Sequence, residues 1–439
     1  FEVAKDGKRE FTQIRDFKGD GPVALLTPEH FRKGFISAAK DGTINFFHAT
    51  GEAKLLGETI EGGALAALAI SPRHNLLLTQ QGNDFKVFDV ENDHPEVTWS
   101  ALWQEVWYEG YPEPMYVWQS TSASNDFEAK LSLVPLVFGT LKASFYAMLF
   151  AVPLGVAGAI YTAYFMSAGL RKYVKPTVEI MAALPTVILG FLAGLWLAPI
   201  IEGALPGVIL LLLLLPMGML LTALVWNYLP ERGRSWLPEG WHAILLIPVL
   251  LLIGWGAFAL SPLIENAFMH GDSRIWLTHE MGIKFDQRNS LVVGIAMGFA
   301  VIPTIFSIAE DAVFSVPKHL TQGSLALGAT PWQTLSRVVI LTASPGIFSA
   351  VMMGLGRAVG ETMIVLMATG NTPIMDFSMF QGLRTLAANI AVEMPESEVG
   401  SSHYRVLFLA AFVLFVFTFI FNSVAEFVRQ RLREKYSSM

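Results

Sequence analysis

The chain has 439 residues, of which 53% are hydrophobic and 15% are charged, and its formal net charge at pH 7 is -7. Soluble domains carry about 25% charged residues, so this composition is typical of a protein that crosses a membrane several times. The absence of cysteine excludes disulfides and cysteine nucleophiles, and no basic cluster is dense enough to indicate nucleic acid as a partner.

The first part of the chain predicts an external domain made mostly of β-strands. Residues 1–125 are mixed and polar, with strand-like runs separated by Asp-Gly or Gly-Asn turns. Segment 35–50 aligns with segment 76–91, which lies 41 residues further on. This spacing is typical of a β-propeller blade of about 40–45 residues, and a propeller needs at least about four blades. We therefore expect part of a propeller whose first blades precede Phe1; the alternative is a small sheet with a coincidental repeat.

Residues 126–439 predict a transmembrane domain. Several apolar segments approach or exceed the roughly 20 residues with which an α-helix crosses a bilayer. The seven segments are 135–166, 176–200, 206–229, 241–262, 289–310, 345–370 and 405–428. Lysine and arginine are enriched in one set of short loops and in the C-terminal tail, which predicts a cytoplasmic tail and an external domain 1–125. A further helix before Phe1 also fits this orientation and would give eight spans.

Two charges, Arg357 and Glu361, lie inside the apolar segment 345–369. Charges within a membrane are costly and mark functional sites by default. Arg357 lies about 12 residues, or roughly 18 Å, from the predicted cytoplasmic end of this helix, which indicates a position near the membrane centre. Its planar fork of donors matches the oxygens of an oxyanion. Glu361, one helical turn away, is predicted to pair with it when no anion is present.

These two residues form the predicted translocation site for an anion. The alternative is a structural Arg–Glu lock between helices, because buried ion pairs do not require transport. Among the other charges, Glu310 and Asp311 are expected at cytoplasmic helix ends, either solvated or at the surface that couples to a partner. Lys142 is expected near the outer end of its helix with its ammonium extended to the interface. The histidines in the predicted outer loops lack ligand spacing, so no metal site is predicted.

A polar stretch, 323–344, precedes the charged segment on the predicted cytoplasmic side. It resembles the coupling loop of ABC importer permeases, which reads Glu-Ala-Ala, three residues, Gly, nine residues, Ile-x-Leu-Pro. In that loop a short helix, a glycine turn and a second helix fill a cleft on an ATPase. Gly328 matches the glycine of the pattern, Gln322 and Gly323 stand where the pattern begins with Glu-Ala, and Leu341 replaces the proline. The alternative is an ordinary amphipathic hairpin at the membrane interface.

The resemblance implies a coupling loop that spans 311–344. The residues that it implies for contact with the ATPase are Gly323, Ala326, Gly328, Ala329 and Trp332. No G-x-x-x-x-G-K-[ST] loop for nucleotide phosphates occurs in the chain. The subunit is therefore predicted to be a transporter component and not an enzyme, without a cofactor of its own, and ATP is used by a separate partner.

Four further segments resemble the permease subunits of bacterial phosphate-specific ABC importers, long-chain variants included. They are 354–363 (GLGRAVGETM), 135–141, 183–197 and 370–405. The resemblance covers most of 132–439 and implies an all-α polytopic membrane domain of the type I ABC importer permease. Residues 203–262 depart from it as an extra helical hairpin.

The function that this resemblance implies is ATP-driven import of inorganic phosphate across the bacterial inner membrane. The implied partners are a second permease subunit, two copies of a cytoplasmic ATP-binding subunit and an external phosphate-binding protein. One alternative keeps the importer and changes the cargo to another oxyanion, sulfate or molybdate. The other is a membrane-anchored sensor or scaffold, in which the helices serve only as an anchor.

Overall fold

The computed structural model describes residues 2–3, 9–10, 13–122, 127–228 and 242–437. The chain divides into two compact units. The first comprises Phe1–Pro135 with Glu393–Leu409, and the second comprises Leu136–Val392 with Ala410–Met439. The first unit is mostly β, and the second is helical.

Short antiparallel strands build the first unit. They are β1 (Glu2–Val3), β2 (Arg9–Glu10), β3 (Val23–Pro28), β4 (Gly34–Ala39), β5 (Thr43–His48), β6 (Ala53–Thr59), β7 (Ala67–Ile70), β8 (Leu76–Gln81), β9 (Asp84–Asp89), β10 (Trp118–Gln119) and β11 (Lys130–Leu131), with helix α1 (Trp99–Trp103) after β9. The sheets are a four-stranded meander β3-β4-β5-β6, a three-stranded meander β7-β8-β9 and two ladders, β1-β2 and β10-β11. Ile36, Phe46 and Leu77 belong to one buried apolar cluster that joins the two meanders.

The internal repeat corresponds to two equivalent hairpins, β4-β5 and β8-β9. Gly42 and Gly82, in the two turns, have φ of 91° and 58°, a region that glycine adopts without strain. The predicted propeller is not supported, because the described residues hold sheets of four and three strands and no closed ring of sheets. The sequence repeat therefore reflects two successive meanders at a blade-like spacing, and these meanders do not close a ring.

Helices build the second unit. The remaining helices of the chain are α2 (Val134–Ile160), α3 (Ala168–Ala182), α4 (Thr186–Leu192), α5 (Ala198–Gly203), α6 (Leu205–Tyr228), α7 (Leu246–Phe268), α8 (Ser273–His279), α9 (Ser290–Phe314), α10 (Lys318–Ala326), α11 (Pro331–Thr334), α12 (Ile340–Gly360), α13 (Met363–Ala368), α14 (Leu386–Glu393) and α15 (Ser402–Ser437). Turns of π-helix follow α2 at Tyr161–Phe165, join α4 to α5 at Ala193–Leu197 and join α11 to α12 at Leu335–Val339.

Seven helical stretches among the described residues are long and apolar enough to cross a membrane, so the predicted number of spans is confirmed. They are Val134–Phe165, Thr186–Gly203, Leu205–Trp226, Leu246–Phe268, Ser290–Phe314, Pro331–Gly360 and Ser402–Leu432. Two predicted boundaries are wrong. The span predicted at 345–370 begins at Pro331 and ends at Gly360. The one predicted at 176–200 is interrupted before Thr186, where Pro185 has an extended backbone with ψ 126°.

The extra hairpin that the sequence predicts at 203–262 contains α6 and most of α7, which contact each other. The backbone N–H of Gly207 donates to Oγ of Ser261 at 3.0 Å, which ties the two helices together. Residues 229–241, between them, lie outside the described part of the chain.

α9 is the central helix of the second unit. Asn289 caps its N-terminus by accepting bonds from the N–H groups of Leu291 and Val292. About two thirds of its most apolar window, 67%, is buried, a larger share than in any other span of the described residues. Glycines bring α12 against it: a Cβ at Gly354 would lie 2.5 Å from the side chain of Ile305, and a Cβ at Gly346 would overlap Ala312. Such contacts let helix backbones approach closely in a membrane.

Candidate functional site

Arg357 lies near the C-terminal end of α12, which closes at Gly360. Its Nη1 donates a 2.8 Å hydrogen bond to Oγ1 of Thr304 on α9. Thr304 is close to the midpoint of α9, so the guanidinium lies at mid-height of the most buried span. No carboxylate in the described ranges forms an ion pair with Arg357. The guanidinium therefore keeps donors that Thr304 does not use.

The predicted ion pair between Arg357 and Glu361 does not form. Because α12 ends at Gly360, Glu361 has an extended backbone, with φ −69° and ψ 123°, and leaves the helical face that carries Arg357. Its Oε1 instead accepts a 3.3 Å hydrogen bond from the backbone N–H of Ile364, in the first turn of α13. A carboxylate at a helix N-terminus is favourable because of the unsatisfied N–H groups there.

A break between α12 and α13 thus replaces the single helix that the sequence predicts. Oγ1 of Thr362 donates to the carbonyl of Gly360 at 3.3 Å, which satisfies one of the carbonyls at the end of α12. Beyond the break, α13 lies directly against α4, where a Cβ at Gly190 would be 2.8 Å from the carbonyl oxygen of Met363. In transporters, broken spanning helices place backbone groups beside the transported ion or substrate.

The predicted coupling residues lie on a helix–turn–helix formed by α10 and α11, so the predicted geometry is present. Gly328 follows α10 with φ +85°, the left-handed conformation that glycine supplies after a helix end. α11 begins with a capping box, in which Thr330 and Gln333 satisfy each other's backbone N–H groups. Oγ of Ser324 and Oγ1 of Thr334, 2.9 Å apart, link the two helices.

The tip of this segment is apolar and exposed. Leu327 is 91% exposed and Trp332 is 67% exposed. Ala326 is exposed, Ala329 is half-buried, and nothing lies within 4 Å of a Cβ placed at Gly323 or Gly328. On the inner side, Leu335, Val339 and Val313 share a buried cluster. The segment is therefore anchored on α9 and α12 while its tip offers an apolar surface.

Glu310, near the C-terminal end of α9, is fully buried, and its carboxylate pairs with Arg171 and Lys175 of α3. Nζ of Lys175 lies 2.8 Å from Glu310 and 2.6 Å from Asp311, whose side chain is exposed. The guanidinium of Arg171 lies 3.6 Å from the centre of the Phe314 ring. The expectation of a solvated Glu310 is wrong, because α3 covers this end of α9 and supplies two cations.

Lys142 is also placed differently from its prediction. The residue is 2% exposed, and its ammonium has no hydrogen-bond partner among the described residues. It does not extend to an interface, because part of the membrane unit covers it.

Residues 151–434 match the family described as "Binding-protein-dependent transport system inner membrane component". The chain belongs to this family. It is 27% identical over 307 residues to the probable ABC transporter permease protein YqgH of Bacillus subtilis, covering 70% of this chain and 74% of that protein. It is 27% identical over 310 residues to the phosphate transport system permease protein PstC of Mesorhizobium japonicum, covering 70% and 76%. A probable PstC of Methanocaldococcus jannaschii is 29% identical over 246 residues, covering 55% and 76%.

These matches confirm the resemblance to phosphate transport permeases, and the chain is a multi-pass membrane permease of the binding-protein-dependent type. Sequence reasoning about this permease missed Thr304 and the cations around Glu310. A threonine beside Pro303 in the middle of an apolar span is a weak signal for a polar contact. Arg171 and Lys175 on one face of α3, four residues apart, are a clearer signal that an acidic partner lies nearby.

Proposed function

We propose that this permease is the membrane subunit of an ATP-driven importer of inorganic phosphate and that Arg357 contacts the anion during translocation. The observation that carries the proposal is the guanidinium at mid-height of α9, bonded to the neutral hydroxyl of Thr304. The partly buried guanidinium, with a neutral partner, keeps both its charge and a fork of N–H donors for phosphate oxygens. The names of two relatives, both phosphate transport permeases, support phosphate as the cargo.

Glu361, at the helix break beyond Arg357, is the second proposed contact. Its carboxylate can accept a hydrogen bond from a protonated phosphate oxygen, and sulfate has no such proton at neutral pH. The two side chains act on the anion separately, since Glu361 is bonded to the start of α13 and not to Arg357.

The α10–α11 segment is proposed to dock on a separate ATPase through its apolar tip. Residues Gly323, Ala326, Gly328, Ala329 and Trp332 lie at or beside this tip. The helix continues from α11 through the π-turn Leu335–Val339 into α12, which carries Arg357. Movement of the tip on the ATPase would therefore reach the anion site along one continuous helix.

The proposed assembly contains a second permease subunit, two copies of the ATP-binding subunit and an external phosphate-binding protein. In this arrangement the chain lies in the bacterial inner membrane. Residues 1–125 form an external domain, residues 126–439 form the permease domain, and the coupling segment and C-terminal tail are cytoplasmic.

The test is ATP-dependent uptake of labelled phosphate by the complete importer, compared at equal membrane levels. For Arg357→Ala we expect at least about a 100-fold loss of uptake, since a charge-assisted, desolvated contact to the anion disappears. The matched control is Arg274→Ala, which removes a half-exposed arginine from a surface ion pair and should change uptake less than about twofold.

Retained uptake in Arg357→Ala would contradict the role of this residue. Competition separates the possible cargoes: unlabelled phosphate should displace the label, whereas sulfate and molybdate should not. An importer that takes up sulfate or molybdate in preference to phosphate would contradict the proposed cargo.

A further inference from the structure

Lys142 lies in the third turn of α2 and is almost completely buried. Its ammonium has no hydrogen-bond partner within the described residues. Removing an ammonium from water costs several kcal/mol unless a partner of opposite charge compensates it. A buried ammonium that bonds to no acceptor of the described residues indicates a place where an acceptor from outside the chain binds.

A loop of the same unit, 369–385, covers Lys142. Phe138 and Tyr146 lie one helical turn before and after Lys142, on the same face of α2. The ring of Phe138 meets the ring of Phe377 edge-on at 4.8 Å, and the hydroxyl of Tyr146 donates to the carbonyl of Phe377 at 2.6 Å. Because both neighbours of Lys142 contact Phe377, the loop lies over the ammonium.

Two carboxylates lie at the loop that covers Lys142: Asp376 precedes Phe377, and Asp286 is bonded to Gly382. Neither is hydrogen-bonded to the ammonium. Each is held by the protein. Asp376 accepts a 2.6 Å bond from the amide of Gln381, and Asp286 accepts a 2.9 Å bond from the backbone N–H of Gly382. A carboxylate has about four acceptor positions, so both retain acceptor capacity. The three side chains together offer one cation and two acceptors.

An ammonium beside carboxylates suits an oxyanion that still carries a proton. The ionised oxygens accept from Lys142, and the remaining P–O–H group donates to a carboxylate. Hydrogen phosphate has this proton at neutral pH. Sulfate and the phosphodiester of a phospholipid have none, so each would face carboxylate charge without a hydrogen bond in return.

This cluster lies far from Arg357. α2 and α9 run side by side in the same direction, because Gly294, early in α9, contacts Tyr146 in the middle of α2, and Gly155 contacts Ile305 further along both helices. Lys142 precedes Tyr146 by one turn and is therefore level with the beginning of α9.

The distance along α9 from Ser290, its first residue, to Thr304 is about 20 Å at 1.5 Å per residue. Thr304 holds Arg357, so the two cations are separated by most of the length of a membrane span. Lys142 lies at the end of the unit opposite the coupling segment, which follows the other end of α9.

We propose that Lys142, with Asp286 and Asp376, binds hydrogen phosphate at a first station on the path to Arg357, covered by loop 369–385. The assignment rests on the proposed function, since phosphate must be the cargo. The bound anion supplies the hydrogen-bond acceptors that the buried ammonium lacks, and the carboxylates select a protonated oxyanion.

The experiment measures binding of labelled inorganic phosphate to the complete permease–ATPase assembly in phosphatidylcholine nanodiscs, without the external binding protein. We expect Lys142→Met to weaken one class of sites by at least about tenfold, because a charge-assisted bond is lost. Lys142→Arg keeps the charge and should retain these sites, and Arg357→Ala should leave them intact. The matched control, Lys284→Met, changes an exposed lysine of the same unit and should bind as the unaltered protein does.

Thermal unfolding of each variant separates binding from folding. Lys142→Met should change the unfolding temperature little, because the ammonium makes no hydrogen bond in the described structure and both carboxylates keep other donors. A second variant, Asp376→Asn, keeps the shape of the site and should let sulfate compete at least about tenfold better. Replacing phosphatidylcholine by phosphatidylglycerol should leave phosphate binding unchanged.

Two results would overturn the assignment: phosphate binding to Lys142→Met as tight as to the unaltered protein, or displacement of the phosphate by phosphatidylglycerol. If Arg357→Ala abolishes phosphate uptake while Lys142→Met binds and transports normally, this inference alone fails. If the unaltered assembly neither binds nor imports phosphate, the proposed function fails with it.

Discussion

Two arginines contact α9, and they are compensated in opposite ways. Arg171 shares the fully buried carboxylate of Glu310 with Lys175 and lies over an aromatic ring. Arg357 contacts the neutral hydroxyl of Thr304, and the described residues place no carboxylate against it. The first is a closed ion cluster in which every charge has a partner. Arg357 keeps its charge and its unused N–H donors, and both are required to bind an anion.

The largest effect on stability is expected from opening the closed cluster. Glu310→Gln removes the buried carboxylate that Arg171 and Lys175 share. Both cations are partly exposed and Lys175 keeps Asp311, so the free energy of unfolding should fall by about 3 kcal/mol, the low end for breaking a buried pair. Asp311→Asn is the matched control, because Asp311 is exposed and its pair with Lys175 should contribute less than about 1 kcal/mol. Denaturant unfolding of the purified protein in detergent measures both. Equal losses of stability in the two variants would mean that burial of Glu310 does not make its ion pairs contribute more than that of the exposed Asp311.

A smaller loss is expected where α12 meets α9, since their close contact fixes Arg357 opposite Thr304. Gly346→Ala forces a methyl group into Ala312 and should cost about 1–3 kcal/mol. Gly254→Ala on α7 is the control, because nothing lies within 4 Å of its added Cβ and stability should not fall. Unfolding in detergent compares the two. A neutral Gly346→Ala would show that the pair of helices is not rigid.

Thr304→Val should have a moderate effect on transport. It removes the hydroxyl that accepts from the charged guanidinium, about 1.5 kcal/mol, which corresponds to about a tenfold slower uptake of phosphate. Thr304→Ser keeps the hydroxyl and should transport normally. If Thr304→Val abolished uptake as completely as Arg357→Ala, Thr304 would have to contact the anion itself. The anion site would then consist of Arg357 and Thr304 together.

The smallest effect concerns His74 in the first unit, where burial lowers the pKa of the imidazole below its ordinary 6.5 and nearby Glu29 partly offsets this. The unfolded chain takes up a proton below pH 6.5 that the folded imidazole resists, so stability is constant above this pH and falls below it. In His74→Gln the acid-dependent fall should be smaller. Hydrogen exchange of β7–β9 at about pH 7.5 and about pH 5.5 measures it. An identical pH response in the variant would exclude His74 as its source.

The parts of the fold that could be predicted depend on local pattern. Apolar length predicts the seven spans, and the position of Gly328 predicts the turn between two short helices. Local pattern cannot predict whether a propeller forms. A 41-residue spacing shows where hairpins recur and does not show how many sheets close around an axis. The predicted pairing of Glu361 with Arg357 assumes an unbroken helix. Because glycines are common in spanning helices, Gly360 does not indicate a helix end.

The partners of the charges depend on packing between distant parts of the chain. Glu310 and Arg171 are far apart in sequence, and their contact exists because α3 lies against the end of α9. Lys142 was expected to extend to an interface because its position in α2 is visible in the sequence, whereas the loop that covers it is not. These contacts decide whether a charged side chain is solvated, paired with an opposite charge or left without one.

The helix break at Glu361 and Thr362 separates α12 from α13. The continuous helix from α11 to α12 forms a rod that lies along α9. α13 instead contacts α4 at Gly190 and the π-turn Ala193–Leu197 at Gly194. The side chain of Glu361 bonds the N–H of Ile364 at the junction, so no unbroken backbone ladder ties the rod to α13. In the proposed mechanism, force applied at Trp332 slides the rod while α13 stays in place, and the shear between them falls beside Arg357.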